Sequence, residues 1–368
     1  MALSKKEFGD IFTFSRASSG TSFRPVGYGA DFLPALSSAS WTKTNPAWAS
    51  VGGNAVATNC PADQSFYLQN VVQAGKRYKY TLTISEISQG SLCVIVGSVL
   101  DSVSYSSAGI YTGEITATLS SHANIFTVAT TTATVTSFKL QEIFLDRAGD
   151  PIQLFNAPAG TPRIDYDPVT GVCKGILIEE QRTNLLTDSG VESLSNFVNL
   201  SSGFVKTSIP MFSGAVYFNQ TGINTIAYKQ FTAAANTQYT MSVFVQMDDL
   251  SPPTFTGDFT LSGCPFALVA IGDAIPLPYT VTHVGNNVYR VSGTYSVVST
   301  SGLKNFGVVK YAGNNGKLFK VTGYQLEQGS FATSYIPTTG SQATRAADVC
   351  SINTVSPWYK HSEGSVFV

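Results

Sequence analysis

Tyr78-Lys79-Tyr80-Thr81-Leu82-Thr83-Ile84 alternates large apolar side chains with polar ones, the two-residue period of a strand with one buried face. A counterpart stands at Gln238-Tyr239-Thr240-Met241-Ser242-Val243-Phe244-Val245. Each run opens a longer similarity. Residues 105–144 begin at Tyr105, pass Tyr111-Thr112-Gly113 and a Thr/Ser-rich alternating stretch, and close on Thr136-Ser137-Phe138-Lys139-Leu140-Gln141-Glu142. Residues 288–327 begin Val288-Tyr289-Arg290-Val291-Ser292-Gly293, alternate likewise, and close on Val321-Thr322-Gly323-Tyr324-Gln325-Leu326-Glu327. In both copies a strand-like run comes first and a Leu-plus-acid ending comes last. The chain therefore reads as two copies of one all-β module.

Working outward, the pattern predicts an N-terminal anchor and connector strand over 1–34, a first β-sandwich over 35–144, a β connector over 145–186 and a second module over 187–335. A linker and the start of a further domain then occupy 336–368. Residues 1–10 read as a polar lead-in, and Ile11–Arg16 as a strand. Arg24–Pro34 is rich in turn residues. In the connector, Pro151, Pro158, Pro162 and Pro168 separate short strands at Ile152–Phe155, Arg163–Tyr166 and Gly175–Glu179. Val284-Gly285-Asn286-Asn287-Val288 is a hairpin signal. Residues 251–278, with five prolines, read as an irregular insertion. Glu363–Val368 reads as a strand cut short, which implies a continuing domain.

Composition narrows the function. Hydrophobic residues are 43% of the 368, enough for packed cores, while charged residues are only 12%, against roughly 25% in ordinary soluble domains. A net charge of −1 without a basic patch argues against nucleic-acid binding. No apolar run reaches the roughly 18 residues of a membrane span, so no membrane insertion is expected. The N-terminus lacks the apolar core of a secretory signal. The five cysteines, Cys60, Cys93, Cys173, Cys264 and Cys350, are scattered and form no C-x-x-C pair. They read as reduced, buried thiols of a protein made in a reducing compartment.

Catalytic signatures are weak. His122, His283 and His361 lie far apart and read as ordinary strand or loop residues. No nucleophile elbow or phosphate-cradling glycine loop is present. Asp165/Asp167 is explained by a turn, Glu179/Glu180 by ion pairing with Arg182, and Asp248/Asp249 by a strand exit. None suggests the carboxylate pair of a glycosidase. No metal site or cofactor is expected, although loop aspartates supply the ligand type for a structural Ca²⁺. Aromatics, 12% of the chain, are the better clue to binding. Trp41 and Trp48 flank a turn at Asn45-Pro46, and Tyr217 and Tyr289 lie on predicted strands. Each either stacks on a sugar ring or packs in a core.

Several motifs resemble tailed-bacteriophage virion proteins of the tail-fibre type. They are Thr13-Phe14-Ser15-Arg16-Ala17-Ser18-Ser19-Gly20, Thr161-Pro162-Arg163-Ile164-Asp165-Tyr166-Asp167-Pro168 with Val169-Thr170-Gly171, and Gly175–Glu179 running into Glu180-Gln181-Arg182-Thr183-Asn184. Gly323–Glu327, Thr333-Ser334-Tyr335-Ile336-Pro337 and Thr344-Arg345-Ala346-Ala347-Asp348 belong to the same set, which brackets nearly the whole chain. The resemblance implies jelly-roll modules, the second like a carbohydrate-binding module, and a non-enzymatic tail fibre or fibre adaptor. It implies other virion proteins and host surface glycans as partners, a homotrimer, and a virion assembled in the host bacterial cytoplasm. Capsid decoration or a head fibre, and a polysaccharide depolymerase component, are the alternatives.

Family members often pass from the Arg-Ala-Ser strand to the Pro-Arg-Ile-Asp-Tyr strand within a few dozen residues. Here a module intervenes, so the first module is expected to be inserted into the connector, with Phe12–Arg16 paired to strands of 150–180. Phe12, Phe14, Arg16, Tyr166 and Arg182 are the candidate oligomer or connector contacts, because short apolar strands form no core alone.

Overall fold

A computed structural model describes residues 12–146, 150–257, 264–270, 273–298, 301–314 and 317–352. The lead-in of 1–10 and the strand expected at Glu363–Val368 lie outside the described residues. The architecture is all-β, with several sheets arranged as sandwiches and only two single-turn 3₁₀ helices among the described residues. None of the described helices is long and apolar enough to cross a membrane. The chain divides into two compact units, residues 26–147 and residues 1–25 with 148–368.

The strands run in chain order as β1 (Phe12–Ser15), β2 (Gly20–Tyr28), β3 (Thr42–Lys43), β4 (Trp48–Val51), β5 (Asn54–Cys60), β6 (Ser65–Leu68), β7 (Arg77–Gln89), β8 (Leu92–Val96), β9 (Val99–Leu100), β10 (Gly109–Thr116), β11 (Ala123–Thr127) and β12 (Thr131–Leu145). Then come β13 (Ile152–Ala157), β14 (Arg163–Tyr166), β15 (Cys173–Leu177), β16 (Arg182–Asn184), β17 (Asn199–Leu200), β18 (Val205–Ile209), β19 (Phe212–Phe218) and β20 (Thr225–Ala233). The last are β21 (Thr237–Met247), β22 (Ala267–Ala270), β23 (Asp273–Ala274), β24 (Thr280–Gly285), β25 (Val288–Val298), β26 (Gly302–Lys310), β27 (Phe319–Gln328), β28 (Ala343–Arg345) and β29 (Val349–Ile352).

In the unit 26–147, one sheet has the order β4-β5-β12-β7-β10 and the facing sheet β3-β6-β11-β8-β9. In the other unit the orders are β18-β19-β27-β21-β25-β24 and β17-β20-β26-β22-β23. Strand for strand these are the same diagram. β3 to β10 correspond to β17 to β23 followed by β25, and β11 and β12 to β26 and β27; β24 is the one addition. The segments alike in sequence occupy equivalent places, since Tyr80 lies opposite Leu140 and Met241 opposite Leu326.

Each sandwich closes on its own core. In the smaller unit Trp41, Trp48, Phe66, Leu82, Val94, Ile125 and Leu140 interdigitate from both sheets, each buried side chain contributing about 1.5–3 kcal/mol. In the larger unit Phe218, Met241, Val243, Phe266, Phe306 and Leu326 do the same. There β21 is buried on both faces: Met241, Val243 and Val245 face the sandwich core, while Phe244 joins a second apolar cluster with Ile209 and Tyr335, against which Phe23 and Leu154 pack. The outer face of the six-stranded sheet is therefore partly covered by connector segments.

One expectation about the connector changes, that of its partner strand. Residues 148–186 fall in the same compact unit as the second module. Phe12–Arg16 does not pair with strands of 150–180: β1 pairs with β29, placing Phe12 opposite Ile352 and Phe14 opposite Cys350. Gly20–Pro25 of β2 takes the expected role and runs antiparallel to β13, while Val26–Tyr28 pairs with Ile143–Leu145 of β12. The turn-rich composition around Pro25 and Gly27 hid this strand. Pro25, which lacks an N–H, stands where the partner changes. Arg16 still meets the connector locally, its carbonyl accepting from the Gly160 N–H at 2.9 Å. Two strands also form within the expected irregular insertion, β22, which pairs with β26, and β23, which pairs with β22.

Cys60, Cys93 and Cys264 are buried free thiols, as expected. Cys173 is exposed and Cys350 half-buried, because both sit on short two-stranded ribbons rather than in a sandwich.

Candidate functional site

Strand alternation puts polar side chains of β21, β24 and β25 on the sheet face opposite the core. The register aligns Thr240 with Thr294, Ser242 with Ser292 and Thr280, and Phe244 with Arg290 and Thr282. The Thr240 and Thr294 hydroxyls are 2.8 Å apart, and the Arg290 Nη2 donates to Ser242 Oγ at 2.8 Å. The Arg290 Nη1 donates to the Thr333 carbonyl. Above this face the connector and the loop 330–334 leave a cavity of about 620 Å³, within the size range of small-ligand sites. Phe23, Tyr166 and Phe331 give it aromatic walls, and Asp165, Lys174 and His283 also line it.

Beside the cavity lies a buried ionic cluster. Arg16 Nη1 meets Asp348 Oδ1 at 3.0 Å, and Arg163 Nη2 pairs with the other oxygen of the same carboxylate. Arg163 Nη1 also reaches Glu179 Oε2 at 2.7 Å, where Arg345 Nη1 pairs as well. Ser334 donates to Glu179 twice, from its N–H at 2.8 Å and its hydroxyl at 2.6 Å. Arg16 Nη2 donates to the carbonyls of Ala157 and Pro158. Arg163 and Arg345 are 0% and 1% exposed. Gly20 packs among their stems: a Cβ there would stand 3.2 Å from both Cδ atoms. Burial pushes the Glu179 carboxyl up, but the Arg345 and Arg163 guanidiniums and the Ser334 hydroxyl hold it below its ordinary value.

The residues marked by the sequence divide sharply. Trp41 and Trp48 are 5% and 1% exposed and pack on Phe66, with ring centroids 5.0 and 5.6 Å away. They are core residues because the turn at Asn45-Pro46 points both rings inward, and they offer no face for stacking. Tyr217 is half-buried, donates to Asp248 and carries Lys320 over its ring. Tyr289 lies against His283, the two rings tilted by 38° with centroids 5.0 Å apart. Of the connector candidates, Tyr166 and Arg16 are buried within the larger unit, Tyr166 against the cavity and Arg16 in the ionic cluster. Phe14 lies under the Arg16 guanidinium at 5.8 Å, and Phe12 stands on β1. Arg182 pairs with Glu180 and lies 4.8 Å over the Phe331 ring. Glu179, expected to pair with Arg182, pairs with Arg163 and Arg345 instead, because adjacent carboxylates on an extended chain point to opposite sides.

Sequence reasoning missed Arg290 and His283. The only available signal was Arg290 amid the alternating apolar residues of β25. Among the described residues no group of three or more His, Cys, Asp or Glu side chains is placed to hold a metal ion. Asp167 is a turn residue: N–H groups of Thr170 and Val169 bond its carboxylate and hold it at about 2.

No protein-family model and no curated protein matches the chain. Solved structures similar to it include the CBM22-1–CBM22-2 tandem domain of Paenibacillus barcinonensis Xyn10C, 10% identical, covering 84% of this chain and 99% of that one, at a TM-score of 0.26. The ANXUR2 extracellular domain of Arabidopsis thaliana is also 10% identical, covering 89% and 93%, at 0.27. The M60 catalytic domain with CBM51 domains of Clostridium perfringens ZmpB is 9% identical, covering 84% and 38%, at 0.21. Superpositions this loose carry no argument about function.

Proposed function

We propose that this chain is a non-enzymatic structural component of a tailed-phage virion, a tail fibre or fibre adaptor, whose two modules are jelly rolls. The observation that carries the reading is the convergence of the motifs that resemble that family. Arg16, Arg163, Glu179, Ser334, Arg345 and Asp348 come from five separate stretches of sequence and form one buried ionic cluster. Motifs so far apart act as one structural unit, which is what a scaffold recurring in fibre proteins requires. The antiparallel pairing of Gly20–Pro25 with Ile152–Ala157 supports reading the first module as an insertion.

Host-surface glycans are the proposed ligands, taken up in the cavity of the larger unit, where hydroxyl rows and aromatic walls offer the mixed polar and apolar lining that sugars need. The non-enzymatic reading is favoured because Glu179, the most buried acid on the cavity wall, is saturated by two guanidiniums and Ser334. The proposed particle is assembled in the host cytoplasm, in keeping with free buried thiols at Cys60, Cys93 and Cys264. In it the chain is a homotrimer. Mass spectrometry of gradient-purified particles tests the assignment: peptides of this chain co-purifying at stoichiometric level support it, and their absence from infectious particles overturns it.

A further inference from the structure

The charges at the cavity wall balance, and one carboxylate among them is idle. Arg16, Arg163 and Arg345 share Glu179 and Asp348. Arg290 is linked to Glu327 through Thr333: it donates to the Thr333 carbonyl, and Thr333 donates to Glu327 from its N–H and its hydroxyl. Lys174 meets Asp167 at 3.6 Å. Burial pushes the His283 pKa below its ordinary value, against a smaller opposing pull from Asp167, so the ring is neutral at pH 7. The surplus guanidinium of the buried cluster is thus matched by Asp165 on the cavity wall. Among the described residues that line the cavity, no cation is left to pair with an anionic ligand.

Asp165 differs from its neighbour in the same turn. Asp167 spends its carboxylate on the N–H groups of Val169 and Thr170. Asp165 is exposed and lines the cavity, and its carboxylate makes neither a hydrogen bond nor an ion pair with any described residue. The hydroxyls of Thr280 and Thr282, both exposed, and of half-buried Ser292 line the same cavity and are also unbonded among the described residues. These are groups that a ligand can reach. Phe331, 53% exposed, gives them an apolar wall. The Arg182 guanidinium lies 4.8 Å from that ring and is itself tied to Glu180 and the Gln328 carbonyl, which holds the ring from one side.

We infer that the cavity takes a neutral hexopyranose with adjacent free hydroxyls, which donate to the two oxygens of Asp165, and disfavours the corresponding uronic acid. This rests on the glycan-binding reading above and narrows it to a chemical class and an acceptor residue. The apolar face of the sugar ring lies on Phe331, and Thr280, Thr282 and Ser292 serve the remaining hydroxyls. Hydrogen bonds to an ionised acceptor are roughly twice as strong as neutral ones, so Asp165 carries most of the polar selectivity. A carboxylate on the sugar would face that of Asp165 with no free cation to answer it, a repulsion that discriminates between the two classes.

The test is calorimetric titration of the full chain at pH 7 with oligosaccharides ended in glucose, galactose or mannose, each beside the uronate-ended sugar of the same linkage. At least one neutral member should bind about tenfold or more tighter than its uronate counterpart. Asp165→Asn should weaken the neutral sugar about tenfold and erase most of the discrimination. Phe331→Ala should weaken the neutral sugar about tenfold as well. Both residues are exposed, so the urea midpoint of each variant should match the parent's. Equal binding of neutral and uronate sugars, or tighter binding of the uronate, overturns the inference and leaves the glycan reading standing. A neutral preference that survives both substitutions at full strength also overturns it, because the sugar then sits elsewhere. No binding of any saccharide overturns both.

Discussion

Arg16 and Asp348, 332 residues apart in sequence, form a 3.0 Å ion pair in which both side chains are fully buried. The same carboxylate also holds Arg163 and accepts from the Glu179 N–H at 3.0 Å. Removing it strands two guanidiniums in the interior, which for buried pairs costs about 3–5 kcal/mol. Asp348→Ala should therefore lower the urea midpoint of the larger unit by an amount corresponding to that loss. A variant within about 0.5 kcal/mol of the parent would show that the cluster is not a structural clasp.

Acid should loosen the same clasp. Glu179 has its folded-state pKa below the ordinary 4.5. Its contribution is fully present above that value and is lost as pH falls from it through the depressed folded value. Urea midpoints measured downward from pH 5 should fall, and Glu179→Gln should fall less steeply, having given up the charge already. Parallel profiles for the two proteins would contradict the assignment.

Lys229 presents the reverse case. Its ammonium is buried on the core face of β20, 4.2 Å from the Phe197 ring centroid and 5.6 Å from that of Tyr324, without a hydrogen-bond partner. Burial, offset in part by Asp188, takes its pKa from 10.5 to about 8. The unfolded chain therefore binds more protons between those values, and stability should rise with pH across that window. Lys229→Met should stabilise the protein by about 1–3 kcal/mol at pH 7. The gain should shrink as pH climbs from 8 towards 10.5, and a gain independent of pH would show that the amine is not desolvated.

Much of this fold was legible because its strands obey a simple period. The Tyr78–Ile84 and Gln238–Val245 runs are central strands of equivalent sheets, as their shared pattern implied. Asn286 and Asn287 form the predicted two-residue hairpin, with φ of 51° and 55° that asparagine tolerates. What stayed hidden depends on partners distant in sequence. Strand β2 was masked by Pro25 and Gly27, and β22 by the prolines around it. Arg16, Arg163 and Arg345 carried no local sign that they would share two carboxylates. The aromatic clue misled at Trp41 and Trp48, since a tryptophan beside a turn faces the core as readily as solvent.

Gly323 sits where the pairing of β21 and β27 slips, between Ser242 opposite Gln325 and Phe244 opposite Thr322. Its φ is +59°, and a Cβ there would come within 2.4 Å of Phe244 Cδ2. Gly323→Ala combines a left-handed backbone penalty of about 1–2 kcal/mol with overpacking of about 1–3 kcal/mol. Thermal or urea denaturation should register a loss of about 2–5 kcal/mol, whereas Gly340→Ala, where a Cβ would meet nothing within 4 Å, should lose only the backbone share.

Electron microscopy of intact particles decorated with gold-labelled antibody to this chain tests the central proposal most directly. Label on the tail or its fibres is the predicted result. Particles that carry no label, while the antibody recognises the chain free in the lysate, would contradict it.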